Sequence, residues 1–471
     1  MITHCIPLHA PPPALRTFKA MQKPSSRNHL FLVLAVVVAS FNLSPIQAQV
    51  AQQTMAASAT GSLPARLSDA EFWKLVGDIS EPGGCFSMAD NFVSNERDIG
   101  TIAGTIRAGG PTGGVYMGVG PEQNFTYIAA VRPRMVFIVD IRRQAVVHHL
   151  MYKAIFELSA DRADFVSLLF AKPRPAGLDT ASTIQQIWAA FDAVATDTAA
   201  FARNLIRVRD HLTRTHGFAM TDEELATLNH VYSSFVEFGP YITTSGPNRG
   251  GGFVATGTLA ALAGRVAGVQ IRAGNSCASS GNSGIAVVRG AAAAALYGRA
   301  AGAPPPTPPT PPTAATPPAS PTPQWTSTTV GMANFVSLTS VTDAAGQFNS
   351  FLGNEESFRF IRDLHMKNLF VPNSGDFGGP KAIRAVGSYI REHGATISAF
   401  YVSNVESYLF GDGIAGAFYD NVATIPVDEK SVFIRPGGIR TQTALCPIAP
   451  FIRAALAGRV INNASANQCV Q

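Results

Sequence analysis

The residues with the clearest chemical content lie between Gly113 and Asp140. An apolar stretch runs into Gly118-Val-Gly-Pro-Glu-Gln-Asn124, where Gly118 and Gly120 mark a tight turn and Pro121 opens a helix. Such a turn suits an anionic or nucleoside ligand. Glycines let the backbone come close, and the first N–H groups of the helix, with the positive end of its dipole, face whatever binds there. The helix is expected over Pro121 to Val131 and stops before Arg132-Pro133, and Met135 to Val139 is a continuous apolar run of the kind found in buried parallel strands. Asp140 closes that strand 20 residues after Gly120, the interval at which an acidic side chain accepts hydrogen bonds from ribose hydroxyls. Gly118, Gly120, Glu122, Asn124 and Asp140 are therefore the candidate cofactor-binding residues.

Three further segments resemble known sequence in the same way as the turn does. Gly118 to Ile128, Val139-Asp-Ile-Arg-Arg143, Phe156-Glu-Leu-Ser-Ala-Asp161 and Phe400-Tyr-Val-Ser-Asn-Val-Glu406 together resemble an uncharacterised family of bacterial proteins, many of them exported, with a methyltransferase-like Rossmann core. The resemblance covers roughly residues 68–245 and 330–436. It implies that Gly118, Gly120 and Asp140 sit where S-adenosylmethionine binds in working methyltransferases. Two positions depart from that pattern. Methyltransferases usually carry an acidic residue two positions before the first Gly, where Tyr116 stands here, and Glu122 beside the turn would repel a pyrophosphate. The second departure argues against NAD and tolerates a ligand with a cationic centre, although an acidic residue in a helix's first turn also simply complements the dipole.

Candidates for the substrate side come from the later strands. Asp376, in Ser374-Gly-Asp-Phe-Gly-Gly-Pro-Lys381, is expected at the C-terminal edge of the sheet, as a ligand contact or as a local turn cap. Ser403-Asn-Val-Glu406 follows an expected strand, so Asn404 and Glu406 are either substrate contacts or, with Ser403, a capping box. Asp90, Asn91, Asn95 and Glu96 form a polar cluster, read here as a solvated loop rather than a cover for the site. His148 and His149 are adjacent and point apart on a helix, and the other histidines read as isolated. No metal is expected, since no Cys-x-x-Cys or His-Glu-x-x-His occurs, and the absence of Gly-x-Ser-x-Gly removes a further hydrolase motif.

The elements that must position these residues follow from periodicity. Ser68-x-x-Glu71 is a capping box for a helix that carries Phe72, Leu75, Val76 and Ile79 and stops at Glu81-Pro82. Helices are expected over Val146 to Leu158, Ile184 to Leu212, Asp222 to Phe238, Glu355 to Met366 and Pro380 to His393. Strands are expected over Asn368 to Val371, Thr396 to Val402, Asn421 to Ile425 and Ser431 to Ile434. The fold class is α/β, a Rossmann-like, mostly parallel sheet with helices on both faces, to which both halves of the chain contribute strands. Residues 245–328 interrupt it with Gly, Ala and Ser and then a Pro- and Thr-rich tract, read as an insertion or linker, and residues 437–471 are read as a C-terminal tail.

Residues 1–48 carry Arg16, Lys19, Lys23 and Arg27, no acidic residue, and an apolar run from Leu30 to Ala39, which is the layout of a signal peptide cut after Ala48. Met21 is an alternative start, and residues 49–67 read as a flexible mature N-terminus. Export leads to the periplasm or the cell exterior. The whole chain has 36 Lys+Arg against 31 Asp+Glu, and the four cations of the leader account for most of that excess. The mature chain is thus nearly neutral, with no basic stripe for nucleic acid and no membrane span after cleavage. The functional expectation is an exported protein with a methyltransferase-like nucleoside-binding fold that uses S-adenosylmethionine. The alternative is a non-catalytic binding or scaffold protein that keeps the fold.

Overall fold

A computed structural model describes residues 62–84, 86, 90–96, 98–246, 333–435 and 444–469. Residues 1–48, read above as a signal peptide, Cys85, Cys277 and nearly all of the 245–328 stretch lie outside them. In chain order the first half forms α1 (Asp69–Ile79), α2 (Ile99–Arg107), β1 (Val115–Gly118), α3 (Gln123–Val131), β2 (Met135–Asp140), α4 (Arg143–Leu158), α5 (Arg162–Phe170), α6 (Ile184–Asp192), α7 (Thr198–Asp210), a π-helical turn (His211–Thr215) and α8 (Asp222–Phe238). The second half forms α9 (Phe335–Thr339), α10 (Glu355–Met366), β3 (Phe370–Ser374), α11 (Ala382–Glu392), β4 (Ile397–Tyr401), α12 (Val405–Gly411), α13 (Ala415–Val422), β5 (Val427–Arg435), β6 (Ala444–Pro447), α14 (Ile448–Leu456) and α15 (Asn463–Asn467).

The six strands make one sheet in the order β3-β2-β1-β4-β5-β6. All neighbours are parallel except β5 and β6, which run antiparallel. Every residue of β1 to β4 is buried, so both faces of these strands are covered, as a parallel sheet requires. The first half supplies the adjacent strands β2 and β1, and strands of the second half flank them on both sides, so neither half has a complete sheet alone. Among the described residues no helix is long and apolar enough to cross a membrane.

The capping box at Ser68 forms, with the Glu71 carboxylate returned to the Ser68 N–H at 2.8 Å. Three expectations about elements fail. The helix expected over Ile184 to Leu212 is divided into α6 and α7, because Asp197 caps a new helix by accepting from the Ala199 and Ala200 N–H groups. Asn421 to Ile425 is not a strand; Phe418, Tyr419 and Val422 are buried at helical spacing, and the segment belongs to α13 and the turn after it. The region read as a tail also contributes β6, which is paired with β5, and its Cys446 forms a disulfide with Cys469.

One close packing contact sets the shape of the first turn. A Cβ on Gly118 would lie 2.0 Å from Asn124 Oδ1 and 2.9 Å from the Tyr116 ring, so β1 must end in glycine for α3 to approach. Gly118→Ala should therefore cost about 1–3 kcal/mol through overpacking. Gly77, inside α1 with nothing within 4 Å of its added Cβ, is the control: Gly77→Ala should raise stability by roughly 0.5–1 kcal/mol. Thermal or urea unfolding of the two variants checks both signs. Equal behaviour would contradict the packing account.

Candidate functional site

The C-terminal ends of β1, β2, β3 and β4 surround a cleft of about 350 Å³, within the size range of small-molecule sites. It lies where the strand order reverses, between β1 and β4, so the connections leaving these two strands diverge and leave a crevice. Phe86, Val119, Pro121, Ile141, Phe377 and Tyr408 give it apolar walls.

Of the residues singled out from sequence, Gly120, Asp140, Asp376 and Asn404 line this cleft. Gly120 has φ 79°, a left-handed conformation that glycine adopts without strain. Asp140 is 4% exposed, and its carboxylate is already engaged. Arg142 donates its backbone N–H (3.0 Å) and Nε (3.1 Å) to Oδ1 and an Nη2 hydrogen (3.1 Å) to Oδ2. A carboxylate has about four acceptor positions, so Asp140 can still accept from a ligand, but beside a fixed guanidinium. Asp376 caps its own turn by accepting from the Gly378 N–H at 2.9 Å.

Gly118, Glu122, Asn124 and Glu406 are not among the lining residues. Asn124 works from below the turn. Its Nδ2 donates to the carbonyls of Val119 (2.9 Å), Gly120 (3.2 Å) and Pro121 (2.8 Å), and its Oδ1 accepts from the Tyr116 hydroxyl at 2.9 Å. Tyr116, standing where an acidic residue was looked for, thus completes the support of the turn. Glu122 is buried, and the Ser94 N–H donates to its two oxygens at 3.2 and 3.3 Å. Burial pushes its carboxyl up to about 8, against the pull of that hydrogen bond. A carboxyl raised in this way carries less negative charge toward a pyrophosphate than an exposed one would.

Glu406 is ion-paired with Arg435 and accepts from the Tyr419 hydroxyl at 2.7 Å, with both partners buried. The capping box does not form, because Ser403 takes φ 47° and helix α12 starts one residue later, with Asn404 at its N-cap. The second Gly-rich turn is also filled from within. Glu81 accepts from the N–H groups of Asp376 (3.1 Å), Lys381 (2.7 Å) and Ala382 (2.8 Å), which is where an external anion would sit.

The segment read as a solvated loop instead covers the cleft. Phe92 and Val93 are buried, Phe92 meets Phe235 edge-on, and Asn91, Ser94 and Asn95 form part of the wall. Glu96, next in line, accepts hydrogen bonds from the hydroxyls of Tyr401 and Ser403, two residues that line the cleft. Burial pushes the Glu96 carboxyl up to about 7, against the pull of the Tyr401, Ser403 and Tyr127 hydroxyls. Oε1 of Gln123, a 3%-exposed residue on the cleft wall, has no partner and no solvent contact. The Phe92-Val93 pair inside a polar stretch is the signal that marks this segment as anchored.

A family described as a domain of unknown function (DUF7790) matches residues 91–230 and 325–445. The chain belongs to this family. The DUF7790 match takes in every cleft-lining residue except Phe86 and Thr244. No curated protein matches the chain.

The two raised carboxyls give the site a pH signature. Each binds a proton in the folded protein over a range where the unfolded chain, with a carboxyl near 4.5, has lost it. The contribution of these groups to stability is therefore greatest below about pH 4.5, falls as pH rises through 7 and 8, and is level above that. The slope is at most about 1.4 kcal/mol per pH unit for each group. Glu96→Gln keeps an acceptor for Tyr401 and removes the titration, so its unfolding free energy should fall less steeply than that of the parent between pH 5 and 8. Parallel profiles would contradict a protonated Glu96.

Proposed function

We propose that this protein is exported and that its cleft binds a nucleoside ligand, S-adenosylmethionine or a close relative, on a Rossmann-like frame of the methyltransferase type. The observation that carries the reading is the joint position of Gly120 and Asp140 on the wall of a cleft at the switch point of a parallel sheet. The turn backbone at Val119 to Pro121 would face the polar end of the ligand. Asp140 would accept from the ribose, and the apolar walls would hold the base.

Methyl transfer needs an aligned acceptor more than a strong base, so catalysis would rest mainly on positioning. Asp376 and Asn404 are the lining residues available to orient an acceptor. Glu96 adds what the sequence reading lacked. With a carboxyl near 7 behind two cleft hydroxyls, it is suited to take the proton that the acceptor loses. The Cys446–Cys469 disulfide supports the exported reading, because such bonds persist in oxidising compartments.

A second reading, a binding or scaffold protein without chemistry, is favoured by the hold of Arg142 on both oxygens of Asp140 and by the removal of Glu406 into an ion pair.

Calorimetric titration of the chain lacking residues 1–48 with S-adenosylmethionine, S-adenosylhomocysteine and NAD separates the readings. Saturable micromolar binding of the first two, lost in Asp140→Ala, is expected. No heat from any of the three would remove the nucleoside reading. N-terminal sequencing of protein recovered from outside the cytoplasm should begin at Gln49, and an intact leader there would overturn the export claim.

A further inference from the structure

A second constellation lies at the other edge of the sheet. His211 Nε2 and His216 Nε2 both meet the same carboxylate oxygen, Oε2 of Glu157, at 2.7 and 2.6 Å. Asp69 and Lys153 stand on its far sides. Oδ1 of Asp69 lies 2.7 Å from His216 Nδ1, and Lys153 donates to Glu157 Oε1 at 2.6 Å. Glu157 is near the end of α4, so along that helix the cluster is roughly 20 Å from the Arg143 end beside the cleft.

The local backbone explains why the histidine spacing did not announce the cluster. Residues five apart on an α-helix differ by about 140° in direction, and His211 and His216 would diverge. The chain instead makes a π-helical turn over His211–Thr215, closed by the His216 N–H donating to the His211 carbonyl at 3.0 Å. That wider turn brings the two rings together, edge to face with centroids 4.7 Å apart. Single π-turns of this kind are frequent at functional sites.

The hydrogen-bond inventory then poses a problem for His216. Both of its nitrogens face carboxylate oxygens, and a neutral imidazole has only one N–H to donate. With the proton on Nδ1 for Asp69, the lone pair of Nε2 points at the lone pairs of Glu157 Oε2. Only a positive charge at that spot relieves the contact, either a second proton or a metal ion. The surroundings match a metal site. Carboxylates commonly receive the outer N–H of a ligating histidine, fixing its tautomer, and Asp69 is placed for that role, itself held by Asn368 Nδ2 at 2.8 Å. Lys153 occupies Oε1 of Glu157 and leaves Oε2 for coordination. The side chains of His211 and His216 are 17% and 12% exposed, so the spot is reachable from solvent.

We infer that Glu157, His211 and His216 form a site for one divalent transition-metal ion of the zinc class, with Asp69 as the residue that orients His216. The three ligand atoms already lie within 4.8 Å of one another. To take the ion, the oxygen and each nitrogen must move apart by roughly 0.7 Å, to the spacing of ligands at about 2.0–2.1 Å from zinc. Two imidazoles and a carboxylate without thiolate suit Zn²⁺ or another first-row divalent ion better than Cu⁺ or Ca²⁺. Three protein ligands leave a position for water. The ion would join α4 to the π-turn and, through Asp69, to α1. This inference is independent of what the cleft binds.

The test is Zn²⁺ titration of chelator-stripped protein, read by calorimetry and by metal analysis after desalting. One Zn²⁺ per chain is expected, with affinity at least 100-fold weaker in His211→Ala/His216→Ala. Asp69→Asn should weaken it 10- to 100-fold while leaving all three ligands in place. Should the double variant fail to fold, Co²⁺ added to the parent protein gives the answer: intense visible bands of a low-coordinate site support the assignment. A spectrum identical to aqueous Co²⁺, or Zn²⁺ bound no more tightly than by the double variant, would overturn it and leave His216 as an imidazolium between two carboxylates.

Discussion

The site depends on one buried amide. Asn124 spends both hydrogens of its Nδ2 on the three carbonyls of Val119, Gly120 and Pro121 and accepts from Tyr116 with its Oδ1. The Val119 and Gly120 carbonyls have second partners in Gln123 Nε2 (3.2 Å) and His149 Nε2 (2.9 Å), and a buried carbonyl left without any partner costs about 1–3 kcal/mol. Satisfying them from beneath gives the turn a fixed shape while its upper surface stays open to the cleft. The same arrangement explains why β1 ends in Gly118, since any side chain there would occupy the place of the amide.

A second layer of buried polar contacts ties the cover to this turn. Glu122 receives the Ser94 N–H, and Glu96 receives the hydroxyls of Tyr401 and Ser403. Residues 91–96 are thereby linked to the start of α3 on one side and to the end of β4 on the other. The links use carboxyls that burial pushes up to about 8 at Glu122 and about 7 at Glu96, so near neutrality the first is mostly protonated and the second is about half so. Ionising both would place two negative charges close together in a poorly solvated region.

Much of this was readable from the sequence where hydrophobic periodicity decides structure. The run Met135 to Val139, the capping box at Ser68 and the helical spacing over Glu355 to Met366 all led to the elements observed. Gly120 and Asp140 were legible because a turn and a strand end are local features, and both line the cleft. What was not legible depends on partners far away in the chain. Glu406 looks like a strand-end carboxylate until Arg435 is seen beside it, and Asn421 to Ile425 is a short apolar run whose period does not distinguish strand from helix. Glu96 gains its chemical character from Tyr401 and Ser403, some 300 residues later. The meeting of His211 and His216 follows from a π-turn, for which periodicity offers no signal.

The most direct test of the cleft as a ligand site is to map where a ligand acts. Hydrogen–deuterium exchange of the chain lacking residues 1–48, with and without saturating S-adenosylhomocysteine, should show slowed exchange at residues 119–124, 91–96 and 403–405 together. These three segments form the turn, the cover and the end of β4. Unchanged exchange in all three, or protection confined to another part of the fold, would contradict the account.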